Sequence, residues 1–178
     1  MEKLIINKPD LKFKKVSNHI FCSNFQIKNE NLILSKIINF DLIKMIYDLN
    51  PDIYESVELK KENENEAICL IIVKHLFEDL GLPQRYIHVK INRIIENNNI
   101  IFKGYSIYNS NHKNIPENAF QMPIKQLIYD CNISNEHNID INQSMELENI
   151  TIPSFAEKIL GMMIYKIFKR AKLFIEKL

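Results

Sequence analysis

Apolar Ile, Phe and Val are interleaved with polar residues through VSNHIFCSNFQIK, Val16 to Lys28, as expected for a half-buried strand. Asn29 and Glu30 break it. The short apolar run NLILSKII, Asn31 to Ile38, fits a helix capped by Asn31 or a second strand, with helix preferred. Leu42 to Leu49 reads as a strand closed by Asn50 and Pro51, because a residue before proline is driven to extended geometry and proline favours a turn. Tyr54 to Lys60 is another strand.

After Lys61 the period changes. KENEN, Lys61 to Asn65, is a polar, acidic-leaning opening for a helix over about Glu66 to Leu80, since acidic groups suit the positive end of a helix dipole. Ile68, Ile71, Ile72 and Leu76 then recur at helical spacing, Gly81 supplies a C-terminal cap and Pro83 a stop. Tyr86 to Ile95 and Ile100 to Ile107 are strand-like runs separated by ENNN, a hairpin or one long bent strand. Tyr108 to Ala119 is a polar loop, Met122 to Asp130 a strand, Asn132 to Asn142 a second polar connection and Ser144 to Asn149 a strand. Pro153 opens a final helix that runs to the C-terminus, with Thr151 or Ser154 near its cap and Lys and Arg crowding its last turns.

Two phrases repeat in order. IKMIYDLN at Ile43 to Asn50 returns as IKQLIYDCN at Ile124 to Asn132, and SVELK at Ser56 to Lys60 returns as SMELE at Ser144 to Glu148. The spacing between copies grows in small steps along the chain, as it does when one duplicated unit acquires loop insertions. Each half then reads strand, ambiguous segment, strand, strand, helix, and such elements build an α+β layer with helices on one sheet face.

Composition narrows the function. The 178 residues are 46% hydrophobic, ample for a buried core, and 23 Lys and Arg against 22 Asp and Glu leave a net charge of +1. No general basic field attracts the chain to nucleic acid or a membrane surface. Arginine is scarce (Arg85, Arg93, Arg170) while Ile, Asn and Lys abound, the codon signature of an AT-rich genome, viral or parasitic. Cys22, Cys69 and Cys131 share no CxxC or Cys/His spacing, and the five histidines show no ligand spacing, so free thiols and no metal are expected. With three glycines, no GxSxG, no phosphate-cradling loop and no paired carboxylates, catalysis, a cofactor and a small-molecule substrate are not expected. MEKLIINKPD lacks the apolar run of a signal peptide, and no stretch reaches the ~18 apolar residues of a membrane span; an intracellular protein is expected.

LGLPQRYIHVKINRII, Leu80 to Ile95, resembles the junction between repeats in the TATA-box-binding protein family, where a helix ends in Leu-Gly and the next strand carries Lys-Ile and an Asn. VSN at Val16 to Asn18 and KIN at Lys90 to Asn92 match its paired strand-opening asparagines, and PENAF at Pro116 to Phe120 resembles its Pro-Glu-x-Phe segment. The resemblance covers about Val16 to Phe174. It implies a two-repeat, curved antiparallel sheet, a saddle, with two long helices on its convex face. It divides the chain into an extension (1–15), a first repeat (16–85) and a second (86–178).

That TBP-like reading implies a non-enzymatic transcription initiation factor that binds A·T-rich double-stranded DNA and polymerase-associated factors, in a nucleus or viral replication compartment. Asn18 and Asn92 would read minor-groove acceptors, Phe40 and Phe120 would act as wedges with Tyr54 a third, and Ile139 or Ile141 takes the fourth wedge position. Lys44 and Lys125, matched in the repeated phrase, would meet phosphates from the open sheet face. Lys166, Lys169 and Arg170 on the amphipathic last helix would face a partner or phosphate. Where the family has Ser-Gly-Lys hairpins this chain has YES at Tyr54 to Ser56 and NQS at Asn142 to Ser144. The missing glycines and the near-neutral charge support a second reading, a protein-interaction scaffold that keeps the fold without DNA binding.

Overall fold

The structure, a computed structural model, describes residues 2–76, 78–108 and 112–178. Its strands are β1 (Lys3–Lys8), β2 (Leu11–Lys15), β3 (Ile20–Lys28), β4 (Tyr54–Lys61), β5 (Glu66–Val73), β6 (Arg85–Glu96), β7 (Asn99–Ser106), β8 (Phe120–Gln121), β9 (Ile124–Asn135) and β10 (Asn138–Leu147). Helix α1 (Phe40–Asp48) lies between β3 and β4, and α2 (Ser154–Ile175) follows β10. The strands form one sheet in the order β1-β2-β3-β10-β9-β7-β6-β5-β4, antiparallel throughout, with β8 added in parallel beside β6.

The sheet is closed across the chain by β3 against β10, where Phe25 faces Ile141, Ser23 faces Gln143 and Phe21 faces Met145. Alternation then decides which side chains turn inward. Along β10 the buried positions are Ile139, Ile141, Gln143, Met145 and Leu147, and along β3 Phe21, Ser23, Phe25 and Ile27. Helix α2 packs on this inner face through Ile164, Phe168, Ala171 and Ile175, with the Phe168 ring 4.3 Å from that of Phe25. At Gly161 the β1–β2 hairpin comes so close that a Cβ would stand 2.8 Å from Ile6 Cγ1 and 3.0 Å from Ile5 Cγ2. Only glycine permits this crossing.

Two expected elements exchange identity. The predicted strand Leu42–Leu49 is α1. Asn39 accepts backbone hydrogen bonds from Asp41 and Leu42 at 2.9 and 3.1 Å, a helix N-cap, and the helix ends where the Asn50 side chain donates to Ile46 O. The pattern missed this because Leu42, Ile43, Ile46 and Tyr47 also satisfy helical spacing. The predicted helix Glu66–Leu80 instead holds β5 and, at its far end, a single 3-10 turn at Glu78–Leu80. Ala67 and Cys69 to Ile72 are all buried, since β5 lies between β4 and β6 with His112 to Gln121 folded across its outer face. A strand covered on both sides loses its alternation and cannot be told from a helix by period.

The repeated phrase therefore forms a helix once and a strand once, IKMIYDLN in α1 and its C-terminal end and IKQLIYDCN in β9. Among the described residues there is one long helix, not two, and it lies against the concave face of the sheet. The expected saddle of two equivalent repeats, with a free sheet face for DNA, is overturned by this topology.

Candidate functional site

Between the inner face of the sheet, α1 and α2 lies a cavity of about 470 Å3. Its walls are mainly aliphatic and aromatic: Val89 and Ile91 of β6, Phe102 of β7, Ile141 of β10 and Leu160 and Ile164 of α2. α1 forms one wall because its apolar face, Leu42, Ile43, Ile46 and Tyr47, turns toward the sheet. The segment Ile150 to Pro153 leading into α2 and the loop Leu82 to Pro83 before β6 complete the lining, with Lys74 and Arg85 at that loop.

Within these apolar walls sits a small set of uncharged polar groups. Tyr47 of α1, Tyr54 of β4 and Tyr129 of β9 all line the cavity. The Tyr47 and Tyr54 rings meet edge to face at 5.0 Å, and Tyr129 meets Phe168 at 6.2 Å. Each phenol is pushed above its ordinary value, first by burial, and for Tyr47 and Tyr54 next by proximity to Tyr129. All three stay neutral. By accessible surface these residues are only half-buried, although they lie deep in the molecule; their accessible part faces the cavity. Burial likewise pushes the Cys69 and Cys131 thiols up to about 12.

Gln143 completes the set. It is 4% exposed, and its Oε1 accepts a 2.8 Å hydrogen bond from the hydroxyl of Ser23, itself 4% exposed. Gln143 stands directly opposite Tyr129 in the β9–β10 ladder. Residues so paired share a face with Cβ atoms roughly 5 Å apart, so amide and phenol belong to one patch of the wall.

Of the residues singled out from the sequence, Tyr54, Ile139 and Ile141 line the cavity. Asn18 is exposed in the turn between β2 and β3, and Asn92 is half-buried in β6 opposite Lys103. Phe40 is 2% exposed and packs edge to face on Phe102 at 5.7 Å, while Phe120 is 59% exposed beneath the Arg85 guanidinium. Lys44 pairs with Asp48, Lys125 with Glu146 at 2.6 Å, and Lys166 and Arg170 both with Asp52. These two cations hold the Asp52 carboxyl well below the usual carboxylate range. Lys169 lies over the Tyr165 ring at 5.4 Å. Ile139 and Ile141, offered for a fourth wedge, are buried in β10. Sequence reasoning missed Tyr47, Tyr129 and Gln143. The signals were present: the tyrosines occupy the same place in the repeated phrase, and Gln143 interrupts the apolar register Ile139, Ile141, Met145, Leu147.

No protein-family model matches the sequence, and no curated protein matches it significantly. Solved structures do. The human StarD13 (DLC2) lipid transfer and protein localization domain superposes with a TM-score of 0.70 at 9% identity, covering 100% of this chain and 90% of that one. Human STARD10 gives 0.71 at 10% identity, covering 97% and 73%. The StAR-related lipid transfer protein from Xanthomonas axonopodis gives 0.67 at 12% identity, covering 98% of each. Likeness at such identities establishes the fold, and it replaces the TATA-box-binding resemblance together with the promoter DNA, polymerase-factor and scaffold readings that rested on it. The chain has the helix-grip fold of StAR-related lipid transfer domains, an antiparallel sheet wrapped around a C-terminal helix.

Proposed function

We propose that this protein binds one predominantly apolar small molecule, the size of a single-chain lipid, in the cavity between the sheet, α1 and α2. The carrying observation is the volume itself. At roughly 24 cal/mol per Å3, walls with no partner across 470 Å3 would forgo about 11 kcal/mol, as much as the entire stability of an ordinary domain. A sequence under selection for packing alone would close such a space by enlarging its lining side chains. An apolar cavity of about 150 Å3 accepts benzene, and this one is roughly three times larger. It also lies in the usual range for small-ligand sites, about 300–1,000 Å3.

The role is binding and carriage, without covalent chemistry. The wall offers shape, apolar area and neutral phenol and amide groups, and burial keeps the phenols and thiols protonated. The names of the matched human StarD13 domain and of the Xanthomonas axonopodis protein, both of which include lipid transfer, agree with this reading. Titration of the purified protein with pyrene, followed by fluorescence, tests it. Saturable one-to-one binding that raises the melting temperature is expected; no binding at micromolar protein would end the proposal.

A further inference from the structure

Resting on that reading, we infer that the ligand carries an uncharged oxygen function, a hydroxyl or carbonyl, held by Gln143 and Tyr129 with Tyr47 and Tyr54 close by. The natural class is then a neutral single-chain amphiphile such as a long-chain alcohol, and not a fatty acid anion.

The argument begins with Gln143. A glutamine 4% exposed on the inner face of a sheet must satisfy its amide or lose the hydration it had when unfolded. Ser23 satisfies only the carbonyl end. Among the described residues the amide nitrogen has no acceptor, yet Gln143 lines the cavity, so its two N–H donors are available to whatever occupies it. Tyr129, directly across the ladder, adds a hydroxyl that also takes no side-chain partner among the described residues. Fixing the amide through Ser23 on β3 orients it before any ligand arrives, which lowers the entropy lost on binding.

The charge of the ligand follows from what surrounds this patch. Tyr47, Tyr54 and Tyr129 are neutral, Cys69 and Cys131 are neutral thiols, and of the charges whose fields reach those thiols, Lys44 is already paired with Asp48 and Asp130 is itself an anion that would repel a carboxylate. A carboxylate here would be stripped of water with no cation to compensate it. The cations on the cavity wall, Lys74 and Arg85, belong to the loop after β5 and the start of β6, and Lys74 is exposed. An anionic ligand would have to place its head there instead.

The test displaces bound pyrene with 1-dodecanol and with dodecanoate at pH 8, on the wild type, Tyr129→Phe and Gln143→Leu. Dodecanol is expected to bind roughly tenfold more tightly than dodecanoate. Each substitution should weaken dodecanol, relative to pyrene on the same variant, by roughly 3- to 10-fold, the worth of one hydrogen bond, and circular dichroism shows whether the variant is folded. Tyr129→Phe keeps the ring and carries the test should Gln143→Leu fold poorly. Dodecanoate binding as well as or better than dodecanol would overturn the inference and point to Lys74 and Arg85. So would equal loss of pyrene and dodecanol in Tyr129→Phe. Failure of pyrene itself to bind would instead remove the cavity reading beneath it.

Discussion

Lys15 on β2 donates a 2.7 Å hydrogen bond to Glu157 in the first turn of α2, and Lys3 on β1 donates another at 2.7 Å to the second carboxylate oxygen. The N-terminal hairpin is thereby fastened to the helix that roofs the cavity, one turn before the close crossing at Gly161. Glu157 is 3% exposed, and a buried carboxylate needs such partners.

The two lysines hold the Glu157 carboxyl below its usual value of 4.5. A lowered native pKa contributes stability above the unfolded pKa and loses it as pH falls through the native one. Glu157→Gln is therefore expected to destabilise the protein by roughly 1–3 kcal/mol at pH 7, most of it through Lys15, whose side chain is 14% exposed against 55% for Lys3. Urea denaturation at pH 7 and again near pH 3 checks the sign. The gap between wild type and variant should shrink as pH falls below 4.5; a constant gap would assign the effect to packing.

Much of the sheet was legible in the chain because β3, β4, β6, β7 and β9 each carry local period-two or β-branched signals, and Asn97, at φ 51°, makes the β6–β7 turn in a region asparagine tolerates. α2 was legible from Pro153 and its long amphipathic run. What local pattern could not convey is context. IKMIYDLN became helical because Asn39 caps it and Asn50 and Pro51 stop it, whereas IKQLIYDCN is held between β7 and β10. The cavity was illegible for a related reason: its lining comes from strands and helices far apart in sequence, and an apolar residue facing a cavity has the same pattern as one facing packed core. Only the misplaced polarity of Gln143 distinguished the two.

The thiols report on the same interior. Cys69 and Cys131 are buried, with pKa pushed up to about 12, while Cys22 is half-buried at the surface of β3. Only thiolate attacks a disulfide reagent, so raising a thiol from 9 to about 12 lowers its reactive fraction roughly a thousandfold near pH 8. Native protein treated with a chromogenic disulfide is expected to release about one equivalent, from Cys22, with the other two thiols reacting on unfolding in guanidinium. Two or three equivalents from native protein would mean that the wall holding Cys131 opens readily.

Gly104 offers a way to fill the cavity without disturbing its frame. It is buried on the inner face of β7, and a Cβ there would stand 3.6 Å from Leu127 Cβ and from Lys90 O and 3.7 Å from Ile91 Cγ1, ordinary contact distances. A larger side chain is therefore directed into the cavity that Gly104 lines. Replacing glycine in a strand interior also recovers roughly 0.5–1 kcal/mol of backbone entropy. Gly104→Leu is expected to raise the melting temperature of the unliganded protein by about 2–4 °C and to weaken pyrene by roughly tenfold or more, since ligand and side chain compete for the same space. Calorimetry with and without pyrene separates these effects. A variant that gains stability and still binds pyrene at wild-type affinity would place the ligand elsewhere, whereas coupled gain and loss would identify the cavity as the site that the sheet and α2 are shaped to leave open.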